Sequence, residues 1–319
     1  MSEYLPSRRA FIAGLGATLA SPALGRASPL GHLSGSAFGT HWRLSSPDGP
    51  ALRELRPPLE ALFHEIDREM SPWRIDSDLS RFNASTSGVP ASAELVRVTR
   101  AALAVARDSQ GTFDPTVGPL VARWGFGPIH DGAAPNWRGL SASAGHLAKR
   151  SPGLTLDLCG IAKGRALDRA VELARDRGMA FALFDLGGEL RALGRHPEGR
   201  DWRVAVEQHS PIQDAPIVLH LPADMAVATS GLDAQSYGLN GRRWGHIMDS
   251  TAGNPVDGKL RSVTVLAEDA MTADAWATAL FAAGDETGPQ LARDQGIAAL
   301  FLFEQGRRIE TGRIGAVLT

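Results

Sequence analysis

The sequence predicts an α+β fold. Apolar residues recur at helical spacing in several separate stretches, short runs rich in Val, Ile, Leu and Phe lie between them, and these runs cluster between helices rather than alternating strictly with them. A doubly wound sheet would require that alternation.

Gly35 to Leu44 reads as the first strand. Pro57 to Met70 follows as a helix with Leu59, Leu62, Phe63, Ile66 and Met70 on one stripe, the proline taking a first-turn position that needs no N–H donor. Ser92 is a plausible N-cap for a second helix that runs through Leu95, Val98, Ala102 and Val105 and stops at Gly111. Ile161 to Asp176 is a third, ended by Gly178. Short strands are expected at Phe181 to Phe184, Trp202 to Glu207, Ile217 to Leu221, Ala226 to Thr229 and Ser262 to Ala267. Helices over Ala273 to Ala283 and Gly288 to Gln295 and a strand at Ala298 to Phe303 complete the pattern.

The 319 residues are 43% hydrophobic and 21% charged, enough to bury one large core or two small ones. A net charge of −2 gives no electrostatic case for a nucleic-acid or membrane-surface role, so any phosphate must be held locally. Ser7-Arg8-Arg9-Ala10-Phe11-Ile12 precedes a short apolar run from Ala13 to Ala20, the pattern of a twin-arginine export signal. Gly25-Arg26-Ala27 supplies the small residues of a cleavage site, which gives a signal peptide over 1–27 and a mature domain over 28–319, with a periplasmic address. The run is far shorter than the roughly 20 residues that span a bilayer, which argues against a transmembrane anchor. Cys159 is the only cysteine, so no intrachain disulfide forms.

Asp157-Leu158-Cys159-Gly160-Ile161-Ala162-Lys163-Gly164 is a polar turn running into a helix. Backbone N–H groups at such a start, with Lys163 beside them, suit phosphate oxygens, although a lysine there is commonly just solvated. Asp274 and Thr278 are four residues apart and share a helix face; their oxygens suit Mg²⁺, while the plainer alternative is a helix-favouring Asp and a Thr bonded to its own backbone. Gly111 to Leu120 holds two prolines, two glycines and Asp114, a loop able to aim a side chain. Trp73 stands near a loop, where it either stacks on a flat heterocycle or packs. His246, with an unperturbed pKa of roughly 6.5, is a candidate general base or a structural histidine.

Taken in order, these stretches resemble the ApbE family of FAD:protein FMN transferases. The likeness rests on Met70-Ser71-Pro72-Trp73, Asp78 to Asn83, Thr112 to Leu120, Trp124-Gly125-Phe126-Gly127, Asp157 to Gly164, Asp185 to Arg191, Ala226 to Gly231, His246 to Asp249 and Thr272 to Gly284. It implies an ApbE-type, T-fold-related α+β fold with FAD in a cleft between two lobes. It also implies FAD contacts from Phe38, where many members have Met, and from Trp73, Thr112, Phe113, Asp114, Asp157 and Lys163. Mg²⁺ would be held by the Gly160 carbonyl, Asp274 and Thr278. His246, on its own chemistry and not on the resemblance, and Asp274 are the candidate catalytic residues. The implied partners are FAD and an exported or membrane-bound redox protein that carries a Ser/Thr flavinylation motif. The alternatives are an FAD pyrophosphatase that releases FMN and AMP, and a non-enzymatic exported flavin carrier. Cys159 departs from the family's usual glycine and is expected to pack as a small hydrophobe; Asp249-Ser250-Thr251-Ala252-Gly253 departs from Asp-Pro-any-Thr-Gly.

Overall fold

The computed structural model describes residues 30–206, 217–232, 235–239 and 242–319; the segment read as an export signal, 1–27, lies outside the described residues. A hairpin of β1 (Gly31–Ala37) and β2 (Thr40–Ser46) leads into α1 (Gly49–Met70) and α2 (Asp78–Ala84). Then come β3 (Gly88–Pro90), α3 (Ala93–Asp108), α4 (Gly118–Arg123), β4 (Leu140–Ser143), β5 (His146–Lys149) and α5 (Ala162–Asp176). The next strands are β6 (Ala182–Leu186), β7 (Glu189–Leu193), β8 (Trp202–Val206), β9 (Ile217–Leu221) and β10 (Ala226–Gly231). The short β11 (Ser236–Leu239), β12 (Arg242–Gly245), β13 (Met248–Asp249) and β14 (Asn254–Pro255) precede β15 (Leu260–Ala267). α6 (Ala270–Ala282), α7 (Gly284–Asp294), β16 (Ala298–Phe303) and β17 (Arg308–Thr311) finish the chain.

The main sheet has the order β1-β2-β6-β7-β10-β15-β16-β17, and every neighbouring pair in it is antiparallel. Its two faces are covered differently. One carries α1, α5 and α6 over a large apolar core that includes Leu44, Leu59, Ile66, Leu167, Phe184, Val265 and Phe281. The other carries the β8–β9 ribbon over a smaller core of Trp202, Leu219, Leu221, Val227 and Leu300. The large core continues through Leu95, Leu140, Leu147 and Leu156 to the small sheet β3-β5-β4, so both parts close around one interior.

Three expectations are corrected. Gly35 to Leu44 is a hairpin rather than one strand: the chain turns at Phe38 (φ 52°) and Gly39 (φ 72°), both left-handed as a tight primed turn demands. The first helix starts at Gly49, eight residues before Pro57, because Asp48 caps it by accepting from the Ala51 N–H at 3.0 Å. Leu52 and Leu55 extend its buried stripe ahead of Pro57 and Pro58, so packing carries the helix through two residues that lack a donor. Ala298–Phe303 does not close the sheet; β17 pairs outside it.

Candidate active site

The site forms where the start of α5 meets α6. Asp157 turns the chain toward the helix: its Oδ1 accepts the Cys159 N–H at 2.9 Å, and its own N–H donates to the Pro115 carbonyl at 2.7 Å, docking the 111–118 loop alongside. α5 lacks a side-chain cap of its own at Ile161. Instead, Asp274 of α6 reaches across, and its Oδ2 accepts the Gly164 N–H at 2.9 Å. Only glycine permits this approach at 164, since a Cβ would lie 2.2 Å from the Ala270 carbonyl oxygen. At Gly160 a Cβ would meet Thr278 Oγ1 at 3.1 Å and the Phe113 ring at 3.2 Å, so Thr278 and Phe113 pack close against this glycine.

Charge is concentrated here. Asp274 is buried, and burial raises its carboxyl pKa against the pull of Lys163. Lys163 Nζ donates to Glu189 Oε1 at 2.6 Å, and 30% of its side chain meets solvent. Burial pushes the lysine pKa down, but Glu189 and Asp274 outweigh it, and the net shift is upward. Burial lifts Glu189 to about 7, with Lys163 opposing and Asp274 adding to the rise. Glu189 Oε2 is buried without a hydrogen-bond partner. Two buried acids thus face one ammonium, and burial raises the pKa of both, so a cation bound beside them would favour their ionised forms.

His246 forms the rim. Its backbone N–H and its Nδ1 both lie 3.2 Å from the Gln235 carbonyl oxygen. A carbonyl only accepts, so Nδ1 carries the proton and Nε2 is left as the acceptor. Burial, aided by the charge of Lys163, lowers the imidazole pKa and keeps the ring neutral at physiological pH, although the Gln235 carbonyl opposes the shift. The Phe126 ring meets His246 edge-on at 6.3 Å and stacks on Tyr237 at 5.2 Å.

The remaining predicted residues fall into distinct places. Phe113 is buried against Gly160, and Thr112 Oγ1 is buried without a partner. Asp114 turns its carboxylate into the loop, accepting from the Thr116 N–H at 2.8 Å and the Thr116 hydroxyl at 2.5 Å. Phe38 packs edge-on against Phe63 at 5.7 Å, and Trp73 is 67% exposed; neither joins the hydrogen bonds of the cluster. Cys159 is exposed rather than packed. The Asp249 loop closes without a proline because Asp249 Oδ1 accepts from the Thr251 and Ala252 N–H groups, and Ser250 Oγ donates to the Gly111 carbonyl at 3.0 Å. Ser230, whose Oγ lies 3.2 Å from Thr278 Oγ1, has no sequence signal beyond its place in Ala226 to Gly231, and Glu189 is legible only as one of the acids of Asp185 to Glu189. An acid directly after Gly187-Gly188 at the head of an apolar strand was the available signal for Glu189.

The ApbE family profile matches residues 38–301, through every element that builds this cluster. The chain belongs to the ApbE family. Its relatives include the FAD:protein FMN transferase of Vibrio cholerae, 34% identical over 86% of this chain and 87% of that protein. The Escherichia coli K12 protein of the same name is 31% identical over 91% and 89%. Among solved ApbE structures, the Vibrio cholerae flavin transferase superposes with a TM-score of 0.80 at 31% identity, covering 90% of this chain and 99% of that one. The apo flavinyl transferase of Pseudomonas stutzeri gives 0.81 at 32% identity, over 90% and 96%.

Proposed function

We propose that this chain splits FAD between its two phosphates and passes the FMN half to a Ser or Thr hydroxyl of an acceptor protein, releasing AMP. The family and the names of its relatives support flavin transfer. The observation that supports this site most is Asp274: it is buried, gives Oδ2 to the Gly164 N–H, and stands with Thr278, Gly160 and Lys163 at the start of a helix.

The donor set fits Mg²⁺. The Gly160 carbonyl, the Asp274 carboxylate and the Thr278 hydroxyl are hard oxygens, and the surplus buried acid with its unpartnered Glu189 Oε2 favours a cation. When bound, Mg²⁺ would supply neutralisation of the pyrophosphate charge. The α5 N-terminus and Lys163 receive phosphate oxygens, and Glu189 keeps the lysine charged and aimed. Thr112 offers its unpartnered hydroxyl to FAD, Phe113 walls the site, and Trp73 is free to stack on the flavin. Asp157 and Asp114 shape the two loops that hold the nucleotide, and Phe38 backs the cleft from its hairpin turn.

His246 Nε2 takes the proton of the acceptor hydroxyl as its oxygen attacks the FMN phosphorus. The bond from that phosphorus to the AMP oxygen breaks, and AMP leaves with the electron pair. Mixing the protein with FAD, Mg²⁺ and a co-exported redox protein should add the mass of FMN to one Thr or Ser peptide. Accumulation of free FMN and AMP with the acceptor unmodified makes water the acceptor instead.

The acceptor is assigned to the periplasm on the strength of Arg8-Arg9 and the apolar run behind them. Replacing Arg8→Lys together with Arg9→Lys should hold the precursor in the cytoplasm, since lysine does not reproduce the guanidinium geometry. Fractionation reads the outcome, and normal export of the double variant overturns the address.

A further inference from the structure

The two helices of the site cap each other. Asp274 of α6 satisfies the Gly164 N–H near the start of α5. In return Asp168, one turn further along α5, accepts from the first two N–H groups of α6: Ala270 to Oδ1 at 2.8 Å and Met271 to Oδ2 at 3.1 Å. Asp269 adds its own cap by accepting the Thr272 N–H at 2.7 Å, so the first three donors of α6 all have side-chain partners.

Asp168 is itself held. It is buried, and Arg191 of β7 pairs with its Oδ1 while Arg191 Nη2 approaches the Glu268 carbonyl at 3.5 Å. Arg191 lies two residues after Glu189, on the same face of β7. Asp168 therefore joins the three elements that carry Lys163, Glu189 and the pair Asp274 and Thr278. Asp274 follows Ala270 by a single turn of α6, so where Asp168 grips the helix fixes how deeply the carboxylate enters the site.

We infer that Asp168, locked by Arg191, is a positioning residue that sets the cation affinity of this centre by fixing the start of α6. The inference rests on reading Asp274 and Thr278 as cation ligands. Outer partners that orient metal ligands commonly change affinity by about 10- to 100-fold when removed. Asp168→Asn retains size but has one carbonyl oxygen for two helix donors and loses the charge that holds Arg191.

The test is Mn²⁺ binding, followed by the electron paramagnetic resonance of the free ion, on the purified protein with ADP present as an uncleaved pyrophosphate. Asp168→Asn should weaken Mn²⁺ at least about tenfold, and Arg191→Gln should weaken it by a smaller factor. Leu219→Ala, in the core on the opposite face of the sheet, serves as the control: it should lower the melting temperature and leave Mn²⁺ affinity unchanged. Wild-type affinity in Asp168→Asn overturns the inference, as does an equal loss in Leu219→Ala. If Asp168→Asn does not fold, unchanged affinity in Arg191→Gln overturns it. A wild-type protein that takes up no Mn²⁺ removes the ligand reading of Asp274 and Thr278, and the inference with it; an intact wild-type site with unaffected variants removes the inference alone.

Discussion

Asp274 and His246 are held in opposite ways. Asp274 is buried between two helices, tied to one backbone N–H and surrounded by charges that each have a fixed partner. His246 sits in the turn between β12 and β13, half-buried, oriented by one carbonyl and the edge of one aromatic ring. The contrast follows from what each side must accept. Pyrophosphate charge is best met by dipoles and charges fixed in advance, whereas a protein acceptor must reach the base from outside.

The largest expected effect breaks the buried side. Asp274→Ala should reduce metal-dependent AMP release by orders of magnitude. It should also destabilise the fold by about 1–3 kcal/mol, because the Gly164 N–H is left buried without an acceptor. Asp274 thus serves the fold as well as the site. Asp274→Asn, which keeps an acceptor for that N–H, should lose the activity and retain more of the melting temperature. Calorimetry beside an AMP assay separates the two losses.

On the rim, His246→Asn should lower turnover by about 10²- to 10⁴-fold while FAD affinity holds. The pH profile sharpens the assignment. Glu189, lifted to about 7, adds its own limb through neutrality, but with the folded pKa of His246 lowered from 6.5 the imidazole is already a free base there, and the limb it imposes on wild-type turnover lies below 6.5. The variant should lose that acid limb.

Lys163→Met should weaken FAD binding by roughly 10- to 100-fold, the worth of one charge-assisted hydrogen bond, read from quenching of flavin fluorescence. Cys159→Ala should be the mildest change: the residue is exposed, and activity should stay at the wild-type level in the AMP assay. A large loss there would mean that the acceptor or the nucleotide leans on the thiol.

The sequence names Lys163, Asp274 and Thr278 in the buried half of the site and His246 on its rim. Lys163, Asp274 and Thr278 lie on regular helices, where a spacing of four residues fixes a shared face before any packing is known. Apolar residues surround the axis of α6 and most of the helix is buried, so a lone Asp within it stands out. Glu189 and Asp168 escaped because their roles exist only through residues distant in the chain: Lys163 lies 26 positions before Glu189, and Ala270 lies 102 positions after Asp168. The β11 to β14 ribbons that frame His246 are two to four residues long, below the length at which alternation can be read. The hairpin at Phe38 carried half of a turn signal, Gly39, but a bulky residue at positive φ gives no warning in sequence.

The strand order also governs how the molecule comes into being. β2 finds its second neighbour only in β6, with Ser45 opposite Leu183, and every element from α1 to α5 intervenes. Local helices can flicker into place early, but the left half of the sheet has no template until that long stretch has been synthesised, and closing such a loop is slow compared with forming a hairpin. α5, β6 and β7 follow one another in the chain, and β7 pairs with both β6 and β10, so Lys163 and Glu189 meet within a local unit. Gly164 and Asp274, by contrast, are 110 positions apart, so a chain that ends before α6 holds only the α5 side of the cluster.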